Sequence, residues 1–299
     1  MSNFMVSFEA MGSHIQVWLN APELANARPL EKVRDWFEHW ESIFSRFRAT
    51  SELSHLNAQA GHTIKVSLPM FEVITAAVQA AAVTDGVFNP LILGALVSAG
   101  YDHSFNAEHF IPGSTLTDHT VGDWREIVLD SAALTVRLPA ASRLDLGGIV
   151  KGWAAQKTAQ RLSMVGPCLV DAGGDIVARG TPDETGGWLV SIRHPDLSQT
   201  LYTVLLTDST IATSGIDYRH WTRDGQTLHH LIDPRTGQPA ESDILSASVI
   251  APDAVQAEVW AKTALITGQL PDLPALLIRR DYSVLHETSF DQLCVQKTQ

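Results

Sequence analysis

Two hydrophobic periods run along this chain and predict a mixture of strands and helices. Residues 13–20 alternate apolar and polar side chains, which is the period of a half-buried strand. Residues 30–47 show the helical period instead and predict an amphipathic helix with an aromatic core face. That face consists of Val33, Trp36, Phe37, Trp40, Phe44 and Phe47. An alanine-rich stretch over 70–83 predicts a second helix, which stops at Asp85-Gly86.

Short strands dominate the second half of the predicted elements. Residues 125–129 and 134–138 are typical of a hairpin, and 149–164 of a helix. Further strands are predicted near 167–171, 175–179, 187–193, 201–207 and 244–250, and further helices over 254–267 and 272–280. We interpret 211–215 as a hydroxyl-rich turn. Consecutive short strands joined by glycine-rich turns favour antiparallel pairing, so the predicted fold class is α+β rather than doubly wound α/β.

Composition and charge narrow the class of protein. The 299 residues, 45% hydrophobic and 18% charged, exclude a disordered, collagen-like or coiled-coil chain. A net charge of −12 argues against a dedicated nucleic-acid binder, although one pocket can still be locally positive. We see no run of about 20 apolar residues and no signal peptide, and we expect a cytoplasmic protein without a membrane segment. Cys168 and Cys294 fit no metal spacing; two reduced thiols are expected, with one disulfide left open.

Two glycine pairs are candidate phosphate-binding turns. The stretch DLGGIVKGW, from Asp145 to Trp153, runs into a helix that has Lys151 near its start. Free N–H groups, the helix dipole and an ammonium group can bind a phosphate there; the alternative is a tight turn with a solvated lysine. The stretch DAGGD, from Asp171 to Asp175, either lets a ligand approach the backbone or is a simple turn.

Two later segments carry titratable groups. His230 lies in HHLIDPRTGQP and can move protons near neutral pH, whereas Arg235 of the same segment can pair with Asp233 and merely staple the loop. Glu258 and Lys262 are four residues apart on a predicted helix. They form either an ordinary helix ion pair or a site where Glu258 offers oxygen to Mg²⁺ and Lys262 opposes or replaces that cation.

Taken in order, these segments resemble the ApbE family of FAD:protein FMN transferases. The resemblance extends from Ala10 to Gly268. Its blocks read AMGS at Ala10, SRF at Ser45, SELS at Ser51, DGVFNP at Asp85, DLGGIVKG at Asp145, AGGD at Ala172, TSG at Thr213 and HLIDPRTG at His230.

The resemblance implies a two-lobed, T-fold-like α+β architecture of mixed or antiparallel sheets flanked by helices, with residues 1–299 forming one FAD-binding domain and FAD in the cleft between its lobes. It implies Mg²⁺-dependent transfer of FMN from FAD to the threonine of an Asp-Gly-Ala-Thr-like target on an acceptor flavoprotein, with release of AMP. His230 would accept or orient the proton of that hydroxyl. The implied FAD contacts are Met11, Phe47, Phe88, Asn89, Pro90, Asp145, Lys151, Thr213, Ser214, Gly215 and His230, and the implied metal ligands are the carbonyl of Gly148 and Glu258.

Three positions depart from the family pattern. Ser13 replaces a threonine, and Asn89 and Leu91 replace an aspartate and a threonine. Glu258 and Lys262 replace the aspartate and threonine that ligate the metal. Our hypothesis is that the Lys262 ammonium partly substitutes for the cation or weakens its binding. The alternatives to a transferase are a flavin-binding or flavin-trafficking protein, an FAD pyrophosphatase, and a hydrolase of phosphate metabolites that uses His230 and Glu258.

Overall fold

Antiparallel strands and a few helices make up the structure, a computed structural model that describes residues 2–105, 120–195, 199–223 and 225–297, without the side chains of 24–26. The strands are β1 (Ser2–Ala10), β2 (Ser13–Ala21), β3 (Thr63–Lys65), β4 (Val128–Asp130), β5 (Thr135–Arg137), β6 (Cys168–Ala172), β7 (Ile176–Arg179), β8 (Trp188–Arg193), β9 (Thr200–Leu206), β10 (Thr210–Gly215), β11 (His220–Arg223), β12 (Gln226–His229), β13 (Ile232–Asp233), β14 (Gln238–Pro239), β15 (Ile244–Ala251), β16 (Ala275–Arg279), β17 (Val284–His286) and β18 (Cys294–Lys297). The helices are α1 (Val33–Phe44), α2 (Glu52–Ala58), α3 (Leu68–Val83), α4 (Leu93–Ser98), α5 (Val150–Leu162), α6 (Ala254–Thr267) and α7 (Thr288–Asp291), with 3₁₀ helices at Leu24–Lys32 and Trp124–Glu126.

The first of two compact units comprises Met1–His39, Lys151–Asp217 and Asp243–Gln299. Its centre is an eight-stranded antiparallel sheet in the order β1-β2-β6-β7-β10-β15-β16-β17. Alternate residues of each strand face opposite sides. On one side, Ile211 and Ile250 pack with Val190, Val204 and other residues of the three-stranded sheet β8-β9-β18. The buried core of this unit therefore includes a sheet-on-sheet layer.

Helix α6 covers the other side of the large sheet. Ala257 and Ala261 of the helix pack with Ala212 of β10 and with Val249 of β15. Small side chains on both surfaces let the helix lie close to the strands. The N-cap of the helix is Asp253, whose side chain accepts from the N–H of Gln256, and the helix ends at Thr267, followed by a left-handed glycine at residue 268. This close packing determines where the polar side chains of α6 lie.

The second unit comprises Trp40–Val150 and Tyr218–Ser242. It contains the three-stranded sheet β3-β5-β4 and the hairpins β11-β12 and β13-β14. A small core joins Leu96 of α4 to Tyr101, Trp221 and Ile232. The Trp221 indole donates to the carbonyl of residue 99 at 2.9 Å. Among the described residues of both units, none of the helices has the length and apolar character needed to cross a bilayer.

The predicted α+β class is confirmed, and so are the helices over 70–83, 149–164 and 254–267 to within a few residues. The helix over 30–47 is shorter than predicted: α1 ends at Phe44, and Phe47 lies beyond it with 40% of its surface exposed. The hairpin forms, but residues 124–126 preceding it are a 3₁₀ turn. Cys168 and Cys294 are free thiols, as expected.

Two predicted elements are wrong. Residues 272–280, predicted as a helix, contain β16, which is buried along nearly its whole length. A continuous apolar run of this kind does not distinguish a buried strand from a helix. Residues 211–215, interpreted as a turn, form most of β10 inside the large sheet. Their small side chains reflect the close cover by α6, and the small size was mistaken for turn chemistry.

Candidate active site

Four charged side chains meet inside the first unit. Lys151 lies in the first turn of α5, Asp175 precedes β7, and Glu258 and Lys262 lie one turn apart on α6. The Lys151 ammonium donates to Asp175 Oδ2 and lies 3.6 Å from Glu258 Oε1. Lys262 Nζ lies 3.5 Å from the same Glu258 oxygen. We call these four residues the charge cluster.

The charge cluster depends on close contact between α5 and α6. The Gly152 N–H donates to Glu258 Oε2 at 3.2 Å, and a Cβ at residue 152 would lie only 2.9 Å from that oxygen. One turn further along α5, the Gln156 side chain binds both the N–H of Ala254 and the carboxylate of Asp253, each at 2.7 Å. Gln156 therefore fixes the start of α6, and Gly152 leaves room for the carboxylate.

Burial and neighbouring charges shift the pKa values of the two carboxylates in opposite directions. The side chains of Asp175 and Glu258 are each only 3% exposed. Burial and the neighbouring Glu258 raise the pKa of Asp175 to about 6, despite Lys151. Burial alone would also raise the pKa of Glu258, but Lys151, Lys262 and the Gly152 N–H outweigh it and lower that pKa. Glu258 is therefore the firmly ionised member.

The loop between β1 and β2 lies against the AGGD turn. Met11 and Gly12 have φ values of +52° and +64°, as a two-residue type I′ hairpin turn requires. Left-handed backbone is costly for a side chain as large as that of Met11. A Cβ at Gly173 would lie 2.8 Å from the side chain of Ser13, so the close approach requires glycine. The hairpin turn and the Asp175 turn thus occupy the same end of the sheet.

Strand β10 brings the TSG segment to this region. Ile211 pairs with Ile176, the residue after Asp175, so Thr213 extends past the glycine turn. The Thr213 hydroxyl is bonded to that of Ser248 on β15, at 2.8 Å. Ser214 is buried, and a Cβ at Gly215 would collide with the carboxylate of Asp217. The predicted binding residues Thr213 to Gly215 therefore belong to a strand rather than a turn.

In the second unit, a buried arginine joins two of the predicted binding residues. Arg46 Nε lies 3.0 Å from Asp145 Oδ2, with side chains 7% and 11% exposed. The guanidinium carbon is 4.1 Å from the ring centre of Phe47 and 4.5 Å from that of Tyr101. Burial lowers the pKa of Arg46, which Asp145 partly opposes. Arg46 Nη2 is buried and makes no hydrogen bond within the described part of the chain.

His230 lies at the edge of this aromatic group. Its ring centre is 6.3 Å from that of Tyr101, which in turn packs against Trp221. Nδ1 of His230 is 3.3 Å from the carbonyl of Arg219. Because a carbonyl can only accept, the proton of neutral His230 lies on Nδ1 and Nε2 carries the lone pair. The neighbouring His229 is buried, with Nε2 on the carbonyl of residue 240 and Nδ1 accepting from the N–H of residue 231, which is a structural arrangement.

The other predicted residues of this unit line its interior. Phe88, Asn89 and Pro90 are buried, and the Pro90 carbonyl accepts from the N–H of Asp145 at 2.8 Å. Asn89 donates to the carbonyl of residue 122 and accepts from the N–H of residue 91, so it joins its own loop to the segment around residue 122. Gly148 is half-buried in the turn before α5.

The stapled-loop alternative for Arg235 is the one observed. Arg235 binds both carboxylate oxygens of Asp233, at 2.7 to 3.1 Å. Burial would raise the pKa of Asp233, but these bonds to Arg235 lower it. Arg235 therefore shapes the turn that follows His230.

The charge cluster does not fit a divalent cation at Glu258. Both Glu258 oxygens are engaged, one by two ammonium groups and the other by an N–H. A cation on Oε1 would lie within a few ångströms of two positive charges. Within the described ranges, no group of three or more His, Cys, Asp or Glu side chains is arranged to hold a metal. The residues present therefore supply ammonium groups where the resemblance implies Mg²⁺.

The structure brings together some predicted residues in each unit and adds others. Lys151 and Glu258 meet in the first unit, and Phe47 and Asp145 meet through Arg46 in the second. Asp175 and Arg46 belong to the DAGGD and SRF motifs, but neither of them was assigned a role from the sequence. Tyr101 stood in no motif, and no signal in the sequence identifies it.

Comparisons with known proteins agree on one family. The model of the ApbE family matches residues 11–283. The FAD:protein FMN transferase of Klebsiella pneumoniae (strain 342) is 28% identical, with 96% of this chain and 90% of that protein covered. The FAD:protein FMN transferase of Treponema pallidum (strain Nichols) is 32% identical, with 90% and 82% covered.

Solved structures share the fold. The ApbE protein of Thermotoga maritima superimposes with a TM-score of 0.87 at 21% identity, over 99% of this chain and 100% of that one. The apo form of the Pseudomonas stutzeri flavinyl transferase ApbE gives 0.83 at 20% identity, over 99% and 98%.

Proposed function

The chain belongs to the ApbE family, and from that premise we propose that it is a flavin transferase, which moves FMN from FAD to a threonine hydroxyl of an acceptor flavoprotein and releases AMP. Two relatives covered over most of their length are named FAD:protein FMN transferase. The organisation of residues 1–299 as one FAD-binding domain is part of this proposal.

The geometry of His230 is the observation that favours a transferase over a flavin carrier. The Nδ1 contact with the Arg219 carbonyl orients the ring and leaves the lone pair on Nε2. Histidine is the side chain best suited to take a proton near neutral pH. A flavin carrier has no need of such a base, whereas an attacking hydroxyl must lose its proton.

In the proposed reaction, the threonine oxygen forms a bond to the phosphorus on the FMN side of FAD. The bond from that phosphorus to the bridging oxygen breaks, and AMP leaves with the oxygen and its electron pair. His230 takes the hydroxyl proton. Lys151, in the first turn of α5, supplies positive charge for phosphate oxygens. Phe47 and Tyr101 offer aromatic faces for a flat ring.

The test incubates the protein with FAD and with an acceptor carrying an Asp-Gly-Ala-Thr-like target. We expect AMP release together with flavin fluorescence that stays on the acceptor after denaturation. His230→Gln should lower this rate by about 10²–10⁴-fold while FAD binding persists. The matched control is His220→Gln, an exposed histidine of the same unit, which should match the unsubstituted protein.

Two outcomes would contradict the proposal. AMP released equally without any acceptor would identify an FAD pyrophosphatase. FAD bound tightly, with no AMP released in the presence of several such acceptors, would identify a flavin carrier.

A further inference from the structure

The charge cluster holds equal numbers of positive and negative groups. Lys151 and Lys262 carry the positive charges, and Asp175 and Glu258 carry the negative ones. The two ammonium groups lie 3.6 and 3.5 Å from one oxygen, Glu258 Oε1. All four side chains are less than 20% exposed. Buried charges are tolerated where they are matched, and this cluster is matched by its own lysines.

The fixed position of Glu258 keeps its carboxylate paired with the two lysines. Its other oxygen, Oε2, is bound to the Gly152 N–H, and Gln156 clamps the start of α6 to α5. The carboxylate therefore cannot turn toward a cation without giving up the Gly152 contact. A divalent ion at Oε1 would also have to displace or face two ammonium groups.

We infer that Lys262 takes the place of a divalent cation at Glu258, so that this chain holds no Mg²⁺ there and binds a diphosphate ligand without one. The first half concerns the protein alone. The second half deepens the proposed function and rests on it, because FAD is the diphosphate ligand considered.

Lysine can do part of what a divalent cation does. An ammonium group is a fixed positive charge with three donors, and it neutralises charge on nearby oxygens. It cannot bridge several oxygens as an octahedral cation does. A single substitution should therefore convert the lysine-paired Glu258 into a cation-binding one. Lys262→Thr removes a positive charge, adds a hydroxyl oxygen and leaves the cluster with excess negative charge.

The first experiment uses Mn²⁺ alone as a probe, with binding followed by electron paramagnetic resonance on protein without FAD. We expect no Mn²⁺ site of sub-millimolar affinity that depends on Glu258 in the unsubstituted protein. The Lys262→Thr variant should bind one Mn²⁺ at least tenfold more tightly than the unsubstituted protein does, and adding Glu258→Gln should abolish this gain in affinity. Lys262→Arg keeps the charge and is the matched control, which should stay as weak as the unsubstituted protein.

The second experiment measures FAD affinity in EDTA and in millimolar Mg²⁺. We expect the two affinities of the unsubstituted protein to agree within about twofold, and those of Lys262→Thr to differ at least tenfold in favour of Mg²⁺. Circular dichroism checks that each variant is folded; if Lys262→Thr does not fold, Lys262→Gln takes its place.

The outcomes separate the two proposals. Tight Mn²⁺ binding by the unsubstituted protein that Glu258→Gln removes would overturn the inference, whatever the protein does with FAD. FAD binding that requires Mg²⁺ in the unsubstituted protein would overturn it as well. Absence of FAD binding in both media would refute the proposed function and the diphosphate half of the inference, while the Mn²⁺ experiment would still decide the metal half.

Discussion

The ion pair between Arg46 and Asp145 permits a prediction whose size follows from the structure. The two charges lie 3.0 Å apart and are nearly excluded from water. At an effective dielectric constant of about 20, their attraction is about 5.5 kcal/mol before desolvation is counted. Arg46→Met keeps an unbranched apolar stem against Phe47 and Tyr101 but removes the charge. Asp145 is then left buried with the Gly147 N–H as its remaining hydrogen-bond donor.

Two effects of opposite sign determine the cost of this substitution. Removing one partner of a buried pair typically costs about 3–5 kcal/mol. Removing Arg46 also removes the unpaired Nη2 donor, and this returns about 1–3 kcal/mol. We therefore expect Arg46→Met to lower the free energy of unfolding by about 2 kcal/mol.

The assay is urea denaturation followed by circular dichroism. With a slope of about 2 kcal/mol per molar urea, the midpoint of the affected transition should fall by about 1 M. Adding Asp145→Asn removes the uncompensated charge, so the double variant should be more stable than Arg46→Met alone, with a coupling of at least about 1 kcal/mol. If the two substitutions simply add, the pair contributes no mutual stabilisation and our reasoning about its burial is wrong.

Three further predictions concern the first unit. Gly152→Ala should lower the free energy of unfolding by about 1–3 kcal/mol, because the added Cβ would lie 2.9 Å from Glu258 Oε2. The control Gln160→Ala, at an exposed site of the same helix, should change that free energy by less than about 0.5 kcal/mol. Equal stabilities of the two variants in urea would refute this prediction. Because the pKa of Asp175 is raised from 3.8 to about 6, the folded state binds more protons there, so the Asp175 contribution to stability should fall as pH rises from about 4 to 6. Asp175→Asn should remove that part of the pH dependence in thermal unfolding, and an unchanged pH profile would contradict it. Met11→Asn should raise the free energy of unfolding by about 1 kcal/mol or less, and the melting temperature with it, since asparagine tolerates the φ of +52°. A lower melting temperature would show that the Met11 side chain stabilises the turn.

Local signals in the sequence were enough for the elements that they dominate. Strand β2 shows its two-residue period, and α3 has a serine N-cap and ends before a glycine turn. Strand β16 lacked such a signal, because a run buried on both faces has no period. Strand β10 was missed because its small side chains reflect the contact with α6, which is a tertiary fact.

The candidate site was predictable as a set of segments but not as contacts. The resemblance identified Phe47, Asp145 and His230 by their place in motifs. Tyr101 packs with Phe47 and His230 only because a small core brings α4 and β11 together. Spacing along the chain does not report such contacts, since they depend on how distant elements pack.

The spacing of Glu258 and Lys262 shows the same limit most sharply. On an exposed helix, this pair would contribute a few tenths of a kcal/mol, and the sequence is compatible with that interpretation. The observed Glu258 side chain is 3% exposed, so the same pair must satisfy the cost of burying charge. Lys151 and the Gly152 N–H offset that cost from positions 107 and 106 residues away along the chain, and Asp175 balances the charge of Lys151. Any substitution in the charge cluster therefore changes a balance of four groups: loss of one lysine leaves excess negative charge in a buried place, and that excess is what would recruit a cation.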